Sequence, residues 1–236
     1  MAKKSGLPWR WLLVVAGFLS WISLGCSPAT LSMFLMPWVD NKIEPEHKLF
    51  AQDKELTLVI LSSFAQPPIN PDLQVAEMEL PDKLAQFFRK RCQENNHKIK
   101  IVSYADVQNY RIKQGAIGPL TPLDTGKHFK ADYVLDLTIN NFSLYEKKAV
   151  DKLFRGEVEV SINLYKVDVK DGNNLVFNKV FNTEGTRSPM DAGNVSAAAL
   201  RGLLLTKVSR DISKMFIAYP PEERMAFDHA TGLNAR

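Results

Sequence analysis

The sequence predicts a mixed α/β domain whose sheet starts as a βαβα part, ends as an antiparallel meander, and is packed by a long C-terminal helix. Three observations predict it. Between residues 55 and 130 short apolar runs alternate with helical periods, the spacing of βαβ units with a parallel pair and a right-handed crossover. Between residues 132 and 181 three stretches alternate apolar and polar with no helical period among them, which is the pattern of a meander. From Ser196 to Tyr219 apolar residues return at steps of three and four, which is one stripe of a helix.

The first strand is the near-continuous aliphatic run 55–63, of the kind buried on both faces. Pro67, Pro68 and Pro71 break the chain into a loop. A helix over 81–93 follows, with Pro81 at its first position and Asp82 beside the positive end of its dipole. Leu84, Phe87, Phe88 and Cys92 fall on one face, and Lys83, Gln86, Arg89, Lys90 and Gln93 mostly elsewhere. The run Arg89, Lys90, Arg91 reads as the solvated face and C-terminal end of this helix, because neither an aromatic stacking pattern nor a second basic cluster accompanies it. Cys92 reads as a buried structural thiol.

A second strand is expected over 98–103, a short helix over 105–114 ended by Gly115, a loop over 118–122 and another short helix over 124–130. The meander opens with a long strand over 132–145, in which Tyr133, Leu135, Leu137 and Ile139 face one way and Asp136, Thr138 and Asn140 the other. The strand over 157–169 changes phase between Leu164 and Tyr165, which a bulge would supply. Asp171 and Gly172 make a hairpin turn, and 175–181 returns as the last strand. In the final helix Leu204, Val208, Ile212, Met215 and Phe216 share the apolar stripe, leaving Lys207, Arg210, Asp211 and Lys214 to solvent. Pro220 and Pro221 stop it, and the polar tail to Arg236 is expected to be flexible.

Ahead of the domain, Lys3, Lys4 and Arg10 precede an uncharged run from Trp11 to Val39 that contains Gly25 and Cys26. A basic head and the apolar centre Trp11–Leu24, shorter than the roughly 20 residues of a membrane span, make an export leader over 1–25. The parts are then a leader over 1–25, a tether over 26–53, the α/β domain over 54–219 and a tail over 220–236. An uncut signal anchor within 11–39 is the alternative, against which Pro28 and Pro37 argue by removing backbone donors. A secreted or cytosolic chain is a third reading. The formal charge of +4 arises from 30 basic and 26 acidic residues, and removing the three cations of the leader leaves 27 minus 26, or +1. The basic balance therefore does not point to nucleic acid.

The residues name no reaction. His47, His97, His128 and His229 are scattered and read as surface residues, with no second ligand at metal spacing. Gly126 and Lys127 fail as a phosphate loop, since Thr121 stands where its first glycine belongs and His128 replaces the Ser or Thr. No serine lies in a nucleophile elbow. The pairs Glu157 with Glu159 and Asp132 with Asp136 are the period-2 polar residues of a half-exposed sheet. No cofactor or metal is expected. An enzyme on this scaffold would use Ser62, Ser63, Tyr104 and Asp106, at the C-terminal ends of the first two strands, but nucleophile, base and orienting group cannot all be named among them.

The junction Ser23, Leu24, Gly25, Cys26 resembles the lipobox of bacterial lipoproteins, with Ser23 where that family usually carries Leu or another aliphatic residue. In that family the leader is cut before the cysteine, which then carries lipid. Together with the strand 56–61, the helix from Pro81, and the stretch 126–139 that runs from a helix through Ala131, Asp132, Tyr133, Val134 and Leu135 into a long strand, it resembles a broad group of bacterial envelope lipoproteins. The group includes the curli-secretion lipoprotein, the N-terminal domain of the Tol-system periplasmic protein, small lipoproteins assisting lipopolysaccharide assembly or lipid transport, and uncharacterised lipoproteins of planctomycete type. The resemblance covers residues 55–216 and bears on fold more than on function. It implies a non-enzymatic, membrane-tethered module and assigns a role to Cys26 alone. The expected function is assembly, transport assistance or scaffolding in the cell envelope, with membrane lipid on Cys26 and an envelope protein or a second copy as partner. The binding surface is expected at the edge of the meander or the exposed side of the long helix. The alternatives are a small-molecule-binding lipoprotein of a transporter and an uncut anchor bearing an enzyme-like domain.

Overall fold

Strand β1 (Leu56–Phe64) is flanked on both sides, which accounts for its unbroken aliphatic run. Leu56, Leu58 and Ile60 enter one core and Val59 enters another on the opposite face, each at 7% exposure or less. The computed structural model describes residues 42–50, 54–114, 121–144, 155–169, 172–186 and 196–223. Cys26, the leader, the apolar run 31–39, Gly115, Asp171, His229 and the tail beyond Glu223 lie outside them.

The sheet order is β2-β1-β3-β4-β5. β2 (Ile99–Ile101) and β3 (Tyr133–Ser143) both run parallel to β1, and β4 (Arg155–Lys166) and β5 (Leu175–Thr186) continue antiparallel. The fold is the mixed α/β class that the alternating patterns predict.

Helices cover both faces of the parallel half. α1 (Pro71–Gln74) is a single turn leading to α2 (Ala76–Glu94). α2 begins five residues before the expected start, so Pro81 is internal and Glu77 and Glu79, not Asp82, occupy the first turn. The apolar period explains this, because Ala76, Leu80, Leu84 and Phe88 stand four apart and are all fully buried. An internal proline costs about 3 kcal/mol. Burying Leu80 alone returns about 1.5–3 kcal/mol, and Ala76 and the Pro81 ring are buried beside it.

α5 (Ala197–Phe216) packs beside α2 over the main core, with Leu204, Val208, Ile212, Met215 and Phe216 buried as expected. Its polar side departs from expectation. The side chains of Asp211 and Lys214 are only 14% and 13% exposed and lie 3.6 Å apart. On the other sheet face α3 (Tyr104–Lys113) and α4 (Pro122–His128) cover a smaller core of Val59, Val107, Ala131 and Val134. Both start a residue or two earlier than expected, at Ser-x-x-Asp and Thr-x-x-Asp caps. Ser103 Oγ accepts from the Asp106 amide at 3.1 Å and donates to its carboxylate at 2.7 Å, while Thr121 does the same with Asp124 at 3.2 and 2.5 Å.

The register shift expected near Leu164 and Tyr165 is present, but its extra residue, Val176, lies in β5. β4 keeps its alternation, and Tyr165 and Val167 are apolar because they pack on the smaller core. A second shift between Ile139 and Asn141 in β3, not anticipated from sequence, turns Phe142 and Leu144 into the main core. The β4–β5 connection is longer than a two-residue turn. Gly172 has φ +77°, and the loop is closed by the Lys166 amide donating to Asn174 O and Asn174 Nδ2 donating to Lys166 O, each at 2.8 Å.

Arg91 corrects the reading of the basic run. Arg89 and Lys90 are exposed, but Arg91 is 2% exposed between α2 and α5. Its Nε donates to Ser213 Oγ at 2.7 Å, one terminal nitrogen donates to Glu223 at 2.6 Å, and its guanidinium lies 5.5 Å from the Tyr219 ring centre. Residues 42–50, read as tether by composition, lie on this same end of the domain. Ile43 and Tyr219 form an antiparallel bridge, the His47 amide donates to Met215 O at 2.9 Å, and Leu49 is 3% exposed.

Candidate functional site

Parallel β1 and β3 end on the same side of the sheet, where the chain must cross over helices to return, and crevices form at such ends. Here the end of β1, the inner face of α3, the start of α4 and the middle of β3 enclose an open cleft of about 180 Å³. Tyr104, Gln108 and Arg111 line it from α3, at the i, i+4, i+7 spacing of one helix face. Ser62 and Ser63 line it from β1, and Asp136 from β3, where it is paired in register with Leu61.

The electrostatics follow from partial burial. Burial pushes the Asp136 carboxyl above the usual carboxylate range, and no hydrogen bond to it forms among the described residues. Tyr165, on the adjacent strand, is raised by its own burial and then by the charge of Asp136. At the other end Tyr104 is pushed up to about 12, chiefly by burial and next by the charge of Glu77. Glu77 is raised by burial while the Arg111 cation opposes the rise. Arg111 makes no hydrogen bond or ion pair among the described residues. The cleft thus carries a cationic pole and an anionic pole that do not meet.

Three of the four residues expected for an enzyme come together here: Ser62, Ser63 and Tyr104. Asp106 does not, because it is held in the α3 cap by Ser103. Ser62 is 6% exposed and its Oγ has no hydrogen-bond partner among the described residues. Neither serine is hydrogen-bonded to a carboxylate or imidazole among the described residues, so neither is an activated nucleophile in this arrangement. Sequence reasoning missed Gln108 and Arg111 altogether and took Asp136 for an ordinary polar position of the sheet. Val134, two residues earlier on the same face and fully buried, was the available signal that Asp136 continues a covered stripe.

The histidines are not a constellation. His47 lies 5.8 Å from the Phe177 ring with its pKa lowered by burial, His97 stacks on Phe50 at 4.4 Å, and His128 stacks on Tyr110 at 3.8 Å. His47 and His97 are half-buried, unlike the surface residues expected, because aromatic rings cover them. Cys92 is buried as expected, and burial pushes its thiol up to about 12. Among the described residues, no group of three or more His, Cys, Asp or Glu is placed to hold a metal, and no helix is long and apolar enough to cross a membrane.

Among the described residues the sheet has two edge strands, β2 and β5, and on β5 Val180 is 58% and Leu175 40% exposed. On the face opposite α5, beyond the smaller core, β3, β4 and β5 carry a run of polar pairs. Asn140 Nδ2 donates to Glu159 at 3.0 Å and Ser161 Oγ at 2.8 Å, and Asn178 Nδ2 donates to Asn163 Oδ1 at 2.5 Å.

These features define a small mixed α/β domain with a bipolar cleft at the carboxyl end of its parallel strands. No family model matches the chain, and no curated protein matches it. Solved structures with a similar arrangement include lipoprotein GNA1162 from Neisseria meningitidis, at 14% identity and TM-score 0.43, over 67% of this chain and 98% of that one. The hypothetical protein CT253 from Chlamydia trachomatis is matched at 10% identity and TM-score 0.43, over 67% of this chain and 94% of that one. The PelC dodecamer from Paraburkholderia phytofirmans is matched at 15% identity and TM-score 0.41, over 73% and 95%.

Proposed function

We propose that this chain is an envelope lipoprotein, held to a membrane by lipid on Cys26, whose domain faces the periplasm or exterior and serves as a non-catalytic assembly, transport-accessory or scaffold component. The observation that carries the reading is the junction Leu24, Gly25, Cys26 behind a basic and then apolar leader. Membrane lipid is one partner in this reading, and an envelope protein or a second copy of the chain is the other. The sheet supports the second. Among the described residues β5 is a 12-residue edge strand bearing exposed Leu175 and Val180, and a sheet edge is where an extended segment adds by main-chain hydrogen bonds.

Intact-mass measurement of the membrane-extracted protein tests the anchor. The expected result is a chain that begins at Cys26 with added acyl mass, and loss of that mass in Cys26→Ser. An unmodified chain that keeps its leader would replace this reading with the uncut anchor. Extraction in mild detergent tests the partner, with a stoichiometric envelope protein or an oligomer expected and a lone monomer counting against it.

A further inference from the structure

We propose that the cleft between β1, α3 and β3 binds a small zwitterion, one carrying a primary ammonium and, a short linker away, a carboxylate or phosphate. Two opposite charges line one cleft without pairing with each other. Arg111 sits on α3 with Tyr104 and Gln108 on the same helix face, and Asp136 sits on β3 near Ser63. Arg111 has no hydrogen bond or ion pair among the described residues, nor has Asp136 a hydrogen bond. Glu77 lies close enough to act electrostatically on Arg111 but forms no ion pair with it, which leaves the donor fork of the guanidinium open to an anion.

A half-buried carboxylate with no partner is costly, and the protein's own cation is near enough to share the cleft without neutralising it. A ligand ammonium at Asp136 and a ligand anion at Arg111 would complete both poles, with Tyr104 and Gln108 supplying neutral hydrogen bonds. The raised pKa of Asp136, caused by burial, agrees with a carboxyl that lacks its cation. Size bounds the ligand. One water needs about 10–15 Å³ of such space, so the cleft of about 180 Å³ takes a molecule on the order of ten non-hydrogen atoms.

The inference is independent of the lipid anchor, so the intact-mass result leaves it standing or falling on its own. Isothermal titration calorimetry on the full-length chain in detergent micelles is the test. The probes are O-phosphoethanolamine and dialanine, with ethanolamine, acetate and inorganic phosphate as single-charge controls. At least one zwitterion is expected to bind about tenfold or more above its single-charge controls. Asp136→Asn and Arg111→Gln are each expected to weaken it about tenfold or more, the loss that goes with one charged hydrogen bond. Binding of only one zwitterion supports the site and identifies the anion. Dihexanoyl-phosphatidylethanolamine, used below its micelle concentration, tells a lipid-borne headgroup from a free solute. Circular dichroism and a melting curve show that each variant is folded, and Gln108→Ala replaces Asp136→Asn if the latter is not. Absence of binding by both zwitterions and the short-chain lipid to the wild type overturns the proposal. So does binding that stays within about twofold in every folded variant.

Discussion

Asp136 shows at the scale of one residue how burial and charge oppose each other. Its folded pKa is raised, so the native state holds the proton more tightly than the unfolded chain does. Stability contributed by this group therefore falls as pH rises from the ordinary carboxylate value to the raised native one. Asp136→Asn removes the penalty. The variant is expected to melt above the wild type near neutral pH, with the difference vanishing once pH drops below the ordinary carboxylate range. Melting curves across pH check this, and a variant that melts lower at neutral pH refutes it. Arg91 makes the opposite case, a buried charge that found its partner. Removing one partner of a buried pair costs about 3–5 kcal/mol, and because Glu223 is 28% exposed, Glu223→Ala should cost nearer 2 kcal/mol. The double variant Arg91→Met with Glu223→Ala should recover most of that loss in urea denaturation. The helical period already held part of this, since Leu84, Phe88 and Arg91 stand at i, i+4, i+7. The two charges just before it, Arg89 and Lys90, made Arg91 look like its exposed neighbours.

Among the elements, β4 and α5 pack closely at Gly156. A Cβ there would clash with Leu204 Cδ1 and lie 2.8 Å from Cδ2, while Leu204 is itself 3% exposed. Gly156→Ala should therefore cost about 1–3 kcal/mol as the leucine is forced to move. Leu204→Ala, which costs about 2–5 kcal/mol alone, should cost less in the Gly156→Ala chain. A double-mutant cycle on the two reads the coupling, and strict additivity would show that the glycine is not there for close packing. The type and order of the elements were legible in the sequence because apolar periods are local. Boundaries were less so. The start of α2 was placed at Pro81 because a proline there is a strong local signal, but the burial of Ala76 and Leu80 outweighs it. The two β-sheet register shifts show a similar limit. A change of apolar phase in β4 marked a second core rather than a bulge in that strand.

In the whole molecule, the two ends of the domain meet. Ile43 pairs with Tyr219, the His47 amide donates to Met215 O, and Glu223 reaches Arg91 and Lys214, so residues 42–50 lie against the end of α5 and the residues that follow it. A chain ending at Ala218 loses both the bridge and the buried pair. It is expected to show faster amide exchange at Ile43, whose amide donates to Tyr219 O at 2.8 Å, together with a lower melting temperature. Unchanged exchange at Ile43 would show that the bridge contributes nothing to holding that segment.

The sequence by itself determined the class of fold, the strands and the helices other than α1, the parallel-then-antiparallel plan and the apolar stripe of α5. Each depends on residues near one another in the chain, where period and turn chemistry act. Only the tertiary structure decided which polar groups lost their water and what they met there. Ser63, Tyr104, Arg111 and Asp136 come to one cleft from three elements, and Arg91 meets a carboxylate 132 residues away. Desolvation and pairing depend on neighbours that only folding brings together.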